Sequence, residues 1–543
     1  MAGSTLWNSY LKTIGICIIF SFAGFGASPL PTEGAKILLS MTSIINTPSQ
    51  HIVISAITEP LVERGHSVTL LAPMNKITKG LTDIAVTDKK FFASPRSRKE
   101  LEEIVASFSS LANQMSGLGP FGAMKILREK VSLLGEGCVT LFNDTDTLDV
   151  LKKEKNYDII ITMPIGGCDF LLGQYLEVPY VAISPVRRTI VVTEDHFGIP
   201  IPSSYVPFAL FSRYTDRMSF RERLVNIFSR YVVMPTMEYI ATYPVQRIKR
   251  EFNIRPDLSL RQLTAESKLW LVCSNFAFEF AQPTAPNWIP IGGITAKPAK
   301  PLPKDLNDFV EGSGDHGIIV FTLGSGVTSL DNEILVESIA KVFSELPQRV
   351  LWRYKGAKPR NLGNNTLISD WLPQNDLLGH PKTRMLIYHG GASGVYEATS
   401  HGVPLLLMPL VADQMANAAR VESKGLGFAV DKNTITEEEF RVAVDEILSN
   451  PKYKTNMARA AAIMKDQPVP PRDAVVFWVE HVLKFGRDHL RLRAADLNFI
   501  QHNSLDVLAF LLVILLLEIY IIKWIVCRCC CSRSKKTTKP KSD

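Results

Sequence analysis

Two short stretches carry residue types from which a chemical site could be built. In RMLIYHGGASG (384–394) an apolar strand turns at His389-Gly390-Gly391 into a helix that begins near Ala392 or Ser393. Glycines let the backbone approach a ligand, and the free N–H groups of a helix start favour an anion. With His389 and the Ser393 hydroxyl as added donors the turn is a diphosphate site by geometry, although ordinary tight turns use the same glycines. In YDIIITMPIGGCD (157–169) a buried-strand pattern stops at Met163-Pro164. Ligands of open α/β sheets gather beyond the carboxyl ends of strands. A non-ionisable Met therefore stands where a polar working residue is expected.

Strands and helical stretches alternate around both segments. AKILLSM (35–41) precedes a helical stretch that runs to Glu63-Arg64 and is capped by Gly65; SVTLLAP (67–73), YDIIIT, PYVAIS (179–184) and LWLVCSN (269–275) continue the series. Such near-continuous apolar runs point to a parallel sheet covered by helices on both faces. After a Pro-rich connection, NWIPIGGITAKPAKPLPKDL (287–306), the rhythm restarts with GIIVFTLGSG, RVLWRYKG, TLISDWLP, RMLIYHGG and VPLLLMPL. The body reads as two Rossmann-like α/β domains in series, and ligands of such pairs bind between them.

The chain has 543 residues, 46% hydrophobic and 21% charged, enough for two or more domains. Its formal net charge is +7, but from Cys527 onward six basic residues face only Asp543, so the body is nearly neutral and nucleic acid is not its expected partner. Residues 1–27, with Lys12 ahead of TIGICIIFSFAGFGA, read as a cleavable secretory signal or an uncleaved anchor. LDVLAFLLVILLLEIYIIKWIV (505–526, within an expected 504–526 span) is long enough to cross a bilayer, with Glu518 inside it. The basic residues behind it place the 527–543 tail in the cytosol and the body in the lumen. Lys539 and Lys541 suit a dilysine signal for retrieval to the endoplasmic reticulum, or a plain topology anchor. Cys527 and Cys529–Cys531 suit palmitoylation or no role at all. Cys138, Cys168 and Cys273 are too few and too unevenly spaced to suggest a disulfide framework or a zinc site. Asn143-Asp144-Thr145 and Asn364-Asn365-Thr366 match the glycosylation sequon.

WLPQNDLLGHPKTRMLIYHGGASGVYEATSHGVPLLLMPLVADQ (371–414) closely resembles the nucleotide-sugar signature of the UDP-glycosyltransferase family, and the likeness extends along nearly the whole chain, nearest to the vertebrate-type membrane enzymes including ceramide galactosyltransferase. The resemblance implies a GT-B fold: an N-terminal acceptor-binding domain over 28–285, a C-terminal UDP-sugar-binding domain with a return helix over 286–495, and one C-terminal transmembrane helix. By motif, Trp371 would stack on uracil, and Gln374 and Glu397 would hold the ribose. Ser325 and His389 would contact the diphosphate, Gly391, Ser393 and Gly394 would line the turn, and Asp413 and Gln414 would bind the sugar. Close relatives often carry Asn at the position of Ser393. Arg353 in LWRYKG is either a further flank of the site or a surface residue at a strand end.

Transfer of a sugar to a hydroxyl requires removal of the acceptor's proton, a task suited to His. The family's base matches His51 in PSQHIVISAITEPLVERGH. It would drive in-line attack on C1 and inversion to a β linkage, with no cofactor and no metal, UDP-sugar being a co-substrate. Asp144-Thr145-Asp146 spells the D-x-D of metal-dependent glycosyltransferases, but in a polar stretch beside a sequon. Family members orient the His with an Asp at the position of Met163, and nothing in the sequence places Asp169 near His51. A weakly active or inactive UDP-sugar- or ligand-binding relative is therefore the alternative to an active enzyme, with a receptor or structural ectodomain third. The Arg common in glucuronosyltransferases is absent from Leu269–Cys273, whereas Gln414 is usual for glucose or glucuronate users. Neutral hexose comes first and glucuronate second. The acceptor pocket is expected within 75–150 and 185–250, fitting a small lipophilic lipid, steroid or xenobiotic; a homo-oligomer is left open.

Overall fold

Strand sequences such as ILLS (37–40) and IIIT (159–162) are buried throughout, because layers of helices cover both faces of their sheets. In this computed structural model the described residues are 34–534, apart from 45–47, 75–83, 95, 98, 102, 105–119, 155, 209–211, 325–329, 331 and 411–412. The expected leader, Ser325, and Lys539 and Lys541 of the tail lie outside the described residues.

The first sheet holds β1 (Lys36–Ser40), β2 (Ser67–Met74), β3 (Asp88–Ala93), β4 (Ile159–Thr162), β5 (Tyr180–Ser184), β6 (Trp270–Val272) and β7 (Trp288–Pro290) in the order β3-β2-β1-β4-β5-β6-β7. The second holds β8 (Ile318–Thr322), β9 (Arg349–Arg353), β10 (Thr366–Ser369), β11 (Thr383–Tyr388), β12 (Leu405–Leu407) and β13 (Gly427–Ala429) in the order β10-β9-β8-β11-β12-β13. Every pairing is parallel. Both sheets are thus doubly wound, with switch points between β1 and β4 and between β8 and β11, where such folds bind ligands. The two-residue period sorts neighbours into opposite layers. Ile37, Leu39, Ile159 and Ile161 pack on one face of the first sheet, Leu38 and Ile160 on the other.

β7 belongs to the first sheet, so that sheet runs beyond the expected boundary at 285. Six helices build the site, brace the domains or form the apolar C-terminal segment: α1 (Pro48–Glu63), α2 (Cys168–Leu176), α3 (Ala392–His401), α4 (Gln414–Ser423), α5 (Pro471–Phe485) and α6 (Leu505–Ser534). α5 returns the chain to the first domain, burying Val475, Val479 and Val482 in the layer that contains α1. Its Arg472 reaches Glu59 and Glu63 of α1, both at 3.0 Å. α6 contains a 24-residue stretch, Leu505–Arg528, long and apolar enough to cross a membrane.

One expectation is overturned. Cys138 and Cys168 form a disulfide that ties helix Glu136–Asn143 to the start of α2. Spacing concealed the pair, because the cysteines are 30 positions apart, with helix Thr145–Lys153 and β4 between them, and only the fold brings them together. Asp144 is the N-cap of helix Thr145–Lys153, accepting from Thr147 N at 3.0 Å, which accounts for the first carboxylate of the D-x-D spelling.

Candidate active site

The second domain's switch point is built around glycines. β11 ends at Tyr388, His389 follows, and Gly391 caps α3 without a side chain to satisfy the first N–H groups of the helix. One of these, at Gly394, meets the Tyr388 hydroxyl. Beyond β8, Gly324 has φ +82°, and a Cβ there would fall 2.3 Å from His389 Cε1. The Cε1 edge of the imidazole is therefore close-packed against a backbone position that only glycine can supply. Burial lowers the His389 pKa to about 3, so the ring is neutral. Together the turn offers a neutral imidazole and helix-start N–H groups, an arrangement suited to a diphosphate.

A cleft of 330 Å³ opens beside this turn, lined by Trp371, Gln374, Ser393, Gly394 and Glu397, and from the first domain by Ser49 and Ile52. Gln374 Nε2 donates to Glu397 Oε2 at 2.6 Å. Burial pushes the Glu397 carboxyl up to about 7, against the opposing pull of Gln374. Trp371 is 63% exposed, an uncovered indole face at the cleft. The Arg353 guanidinium stands 5.4 Å from its ring centroid, donating to the carbonyls of Asp370 and Gly324. Arg353 is thus a flank of the cleft and 9% exposed, not a surface residue.

Asp413 and Gln414 lie at the start of α4, against the other side of the turn. Asn417 Nδ2 donates to both Gly390 O and Asp413 Oδ2 at 2.8 Å, tying the turn to the carboxylate. Burial pushes Asp413 up to about 6, opposed by the Asn417 bond. Gln414 Oε1 accepts from Leu410 N at 2.7 Å, so one end of its amide is engaged by backbone.

In the first domain, His51 lies in the first turn of α1, between the cleft-lining Ser49 and Ile52. It is buried, and among the described residues neither ring nitrogen has a hydrogen-bond partner. Burial alone lowers its pKa to about 4, leaving a neutral imidazole at physiological pH. Met163 is 2% exposed and packs in the same apolar layer as Val53 and Ile54. A thioether there offers His51 no carboxylate.

The carboxylate lies instead at Asp169 in the first turn of α2. Asp169 Oδ1 accepts from Ser40 Oγ at 2.5 Å and from Thr42 N at 3.3 Å. Ser40 and Thr162 are register partners across β1 and β4, so Asp169 fastens the first sheet's switch point rather than His51. Burial pushes its pKa up to about 6, with the Ser40 and Thr42 bonds opposing.

Sequence reasoning did not single out Tyr388, Thr322, Thr295 or Lys297, which also line the cleft. Lys297 joins the domains: its Nζ pairs with Glu59 at 2.9 Å, and its backbone exchanges hydrogen bonds with the Asn375 side chain. Burial works against ionisation of Glu59, but Lys297 and Arg472 outweigh it and hold that pKa below its usual value. The only sequence signal for this brace was the Pro-rich connection that contains Lys297.

Comparison with known proteins agrees with this geometry. The family model for UDP-glucoronosyl and UDP-glucosyl transferase matches residues 38–541. UDP-glucuronosyltransferase 2A2 of Mus musculus is 38% identical over 91% of this chain and 94% of its own length. UDP-glucuronosyltransferase 2B7 of Homo sapiens is 33% identical over 99% of this chain and all of its own length. Among solved structures, the glycotransferase of kitacinnamycin superposes with TM-score 0.56 at 18% identity, covering 83% of this chain and 100% of its own. The calicheamicin glycosyltransferase CalG4 does so with TM-score 0.52 at 15% identity, covering 84% of this chain and 99% of its own. Two facing doubly wound domains, a glycine-built turn at the second switch point and a family match over almost the full length converge: the chain belongs to the UDP-glycosyltransferase family and is a GT-B enzyme that transfers sugar from a UDP-sugar donor.

Proposed function

We propose that the enzyme transfers a neutral hexosyl group, with inversion, to a hydroxyl of a small lipophilic acceptor, and that His51 is its general base. The acceptor oxygen bonds to C1 of the sugar as its proton passes to the His51 imidazole. The bond from C1 to the diphosphate oxygen breaks, and its electron pair leaves with UDP. His389 and the N–H groups at the start of α3 take up the charge on the departing diphosphate, so this reading requires no metal and no cofactor. Trp371 stacks on the base, Gln374 and Glu397 hold the ribose, and Asp413 and Gln414 hold the sugar. The observation that carries the reading is His51 itself: a buried, neutral imidazole that has no hydrogen-bond partner among the described residues and is flanked by cleft residues.

Glucuronate is the second reading, favoured by the names of the relatives. Against it, the Arg353 guanidinium at the cleft already donates to the carbonyls of Asp370 and Gly324, and other buried arginines are committed to carboxylates. Arg420 pairs with Glu279 at 3.1 Å, and Arg187 and Arg188 share Glu194 at 2.7 and 2.6 Å. A glucuronate carboxylate favours an uncommitted cation. The proposed location is the endoplasmic reticulum membrane with the body in the lumen, supported by the apolar helix and by the Cys138–Cys168 disulfide, which suits an oxidising compartment.

The test is to express the chain in microsomes and offer radiolabelled UDP-glucose, UDP-galactose and UDP-glucuronate with a panel of lipophilic alcohols. A β-linked hexoside is the expected product. UDP binding without turnover on any donor contradicts an active enzyme, and a glucuronide as sole product selects the second reading.

A further inference from the structure

Helices Phe220–Phe228, Ser229–Val233 and Met234–Glu251 follow one another without a break, the middle segment being a single wide turn. The inner face buries Met237, Ala241, Val245 and Ile248. The opposite face is apolar as well: Phe220, Leu224, Phe228, Tyr231, Tyr239 and Tyr243 are each between 51% and 75% exposed. Residues three, four and eight apart fall on one side of a helix, so these side chains form a continuous stripe. Stripes of this kind mark a surface that meets something apolar.

The stripe has a neighbour that identifies its occupant. The Tyr231 ring meets Phe499 edge to face at 6.5 Å between centroids. Phe499 opens the short helix Phe499–His502, which leads directly into α6, and is itself 62% exposed. The stripe is therefore continuous with the segment that enters the apolar helix. Basic residues border it: Arg221, Arg223 and Arg230 share the helix with Glu222 alone over that span, and Arg230 sits over the Tyr231 ring at 5.0 Å. Apolar and aromatic groups edged by cations suit the boundary between headgroups and acyl chains.

We propose that the outer face of 220–243 lies in the lipid interface of the membrane that α6 crosses, making the first domain a monotopic membrane element in addition to the span. The proposal rests on the reading of α6 as a membrane span. A lipophilic acceptor partitioned into that leaflet then meets the acceptor domain without crossing bulk water.

Full-length protein in microsomes is irradiated with a phosphatidylcholine carrying a diazirine on its acyl chain, and adducts are mapped by mass spectrometry. Adducts in both 505–526 and 220–243 are expected. The double variant Leu224→Glu, Phe228→Glu should lose about tenfold of the 220–243 adducts, matching the transfer free energy of one large apolar side chain, and keep those in 505–526. Adducts in 505–526 alone overturn the proposal while leaving the span intact. Their absence from both overturns the span as well. A cross-link joining two copies through 220–243 identifies a second protein molecule as the occupant and also overturns it.

Discussion

Asp169 Oδ1 accepts a hydrogen bond from Ser40 Oγ at 2.5 Å, across the seam where β1 meets β4. The same oxygen holds Thr42 N at 3.3 Å, at the start of the loop that leads to His51. The disulfide at Cys168 anchors the adjoining residue. A carboxylate thus serves this strand end after all, but it positions the backbone instead of the imidazole.

Replacing Asp169 with Ala leaves two buried donors without their acceptor, at about 1–3 kcal/mol each. The melting temperature should fall and turnover with it, while Asp169→Asn, which keeps an acceptor oxygen, should lose less. The raised pKa fixes the sign of a pH effect. The folded form holds this proton up to about 6, against the ordinary 3.8 of an aspartate. Relative to Asp169→Asn, the wild type therefore loses stability as pH rises from about 4 to about 6. Thermal unfolding across that range checks the sign.

His51 titrates at about 4, so the acid limb of kcat/KM should lie near pH 4, not near the 6.5 of a free imidazole. Met163→Asp should move that limb upward, since a carboxylate beside the imidazole favours its protonated form. The same change buries a charge in the layer of Val53 and Ile54, so the variant should also melt at a lower temperature. A pH–rate profile of both proteins on one acceptor distinguishes the two effects.

Trp371→Ala removes the exposed ring on which uracil would stack. Base stacking on an aromatic ring contributes about 1–3 kcal/mol, so UDP affinity should fall by roughly five- to 150-fold. Trp371→Phe should retain most of it. Calorimetric titration with UDP measures both.

Gly324→Ala places a methyl group 2.3 Å from the His389 ring at φ +82°. The ring must move from the Gly390-Gly391 turn, and, if His389 holds the diphosphate as proposed, UDP-sugar should bind at least about tenfold more weakly, on the scale of one lost charge-assisted hydrogen bond. Gly314, which also has positive φ but nothing within 4 Å of an added Cβ, is the control for backbone strain alone.

Most strands and the glycine turn were legible in the sequence because each depends on local pattern. Apolar runs gave the strands, and His389-Gly390-Gly391 followed by Ala392 gave the helix start where the structure has it. Not every strand was legible: β7 has three residues inside a Pro-rich connection, and only its pairing with β6 makes it a strand. Long-range partnerships were hidden for the same reason. Asp169 lies 129 residues from Ser40, and Lys297 lies 238 from Glu59, so only the folded chain shows them together. Met163 shows what sequence could and could not say. The lack of a carboxylate at Met163 was visible, whereas the unpartnered state of both His51 nitrogens among the described residues required the packing around α1.

The most direct test measures two quantities on one variant. In microsomes carrying His51→Ala, transfer of radiolabelled sugar to a lipophilic alcohol is followed while UDP affinity is titrated on the same preparation. Turnover lower by about 10²–10⁴, the usual contribution of a general base, with UDP affinity unchanged, is the predicted result. Turnover at the wild-type rate would contradict His51 as the base.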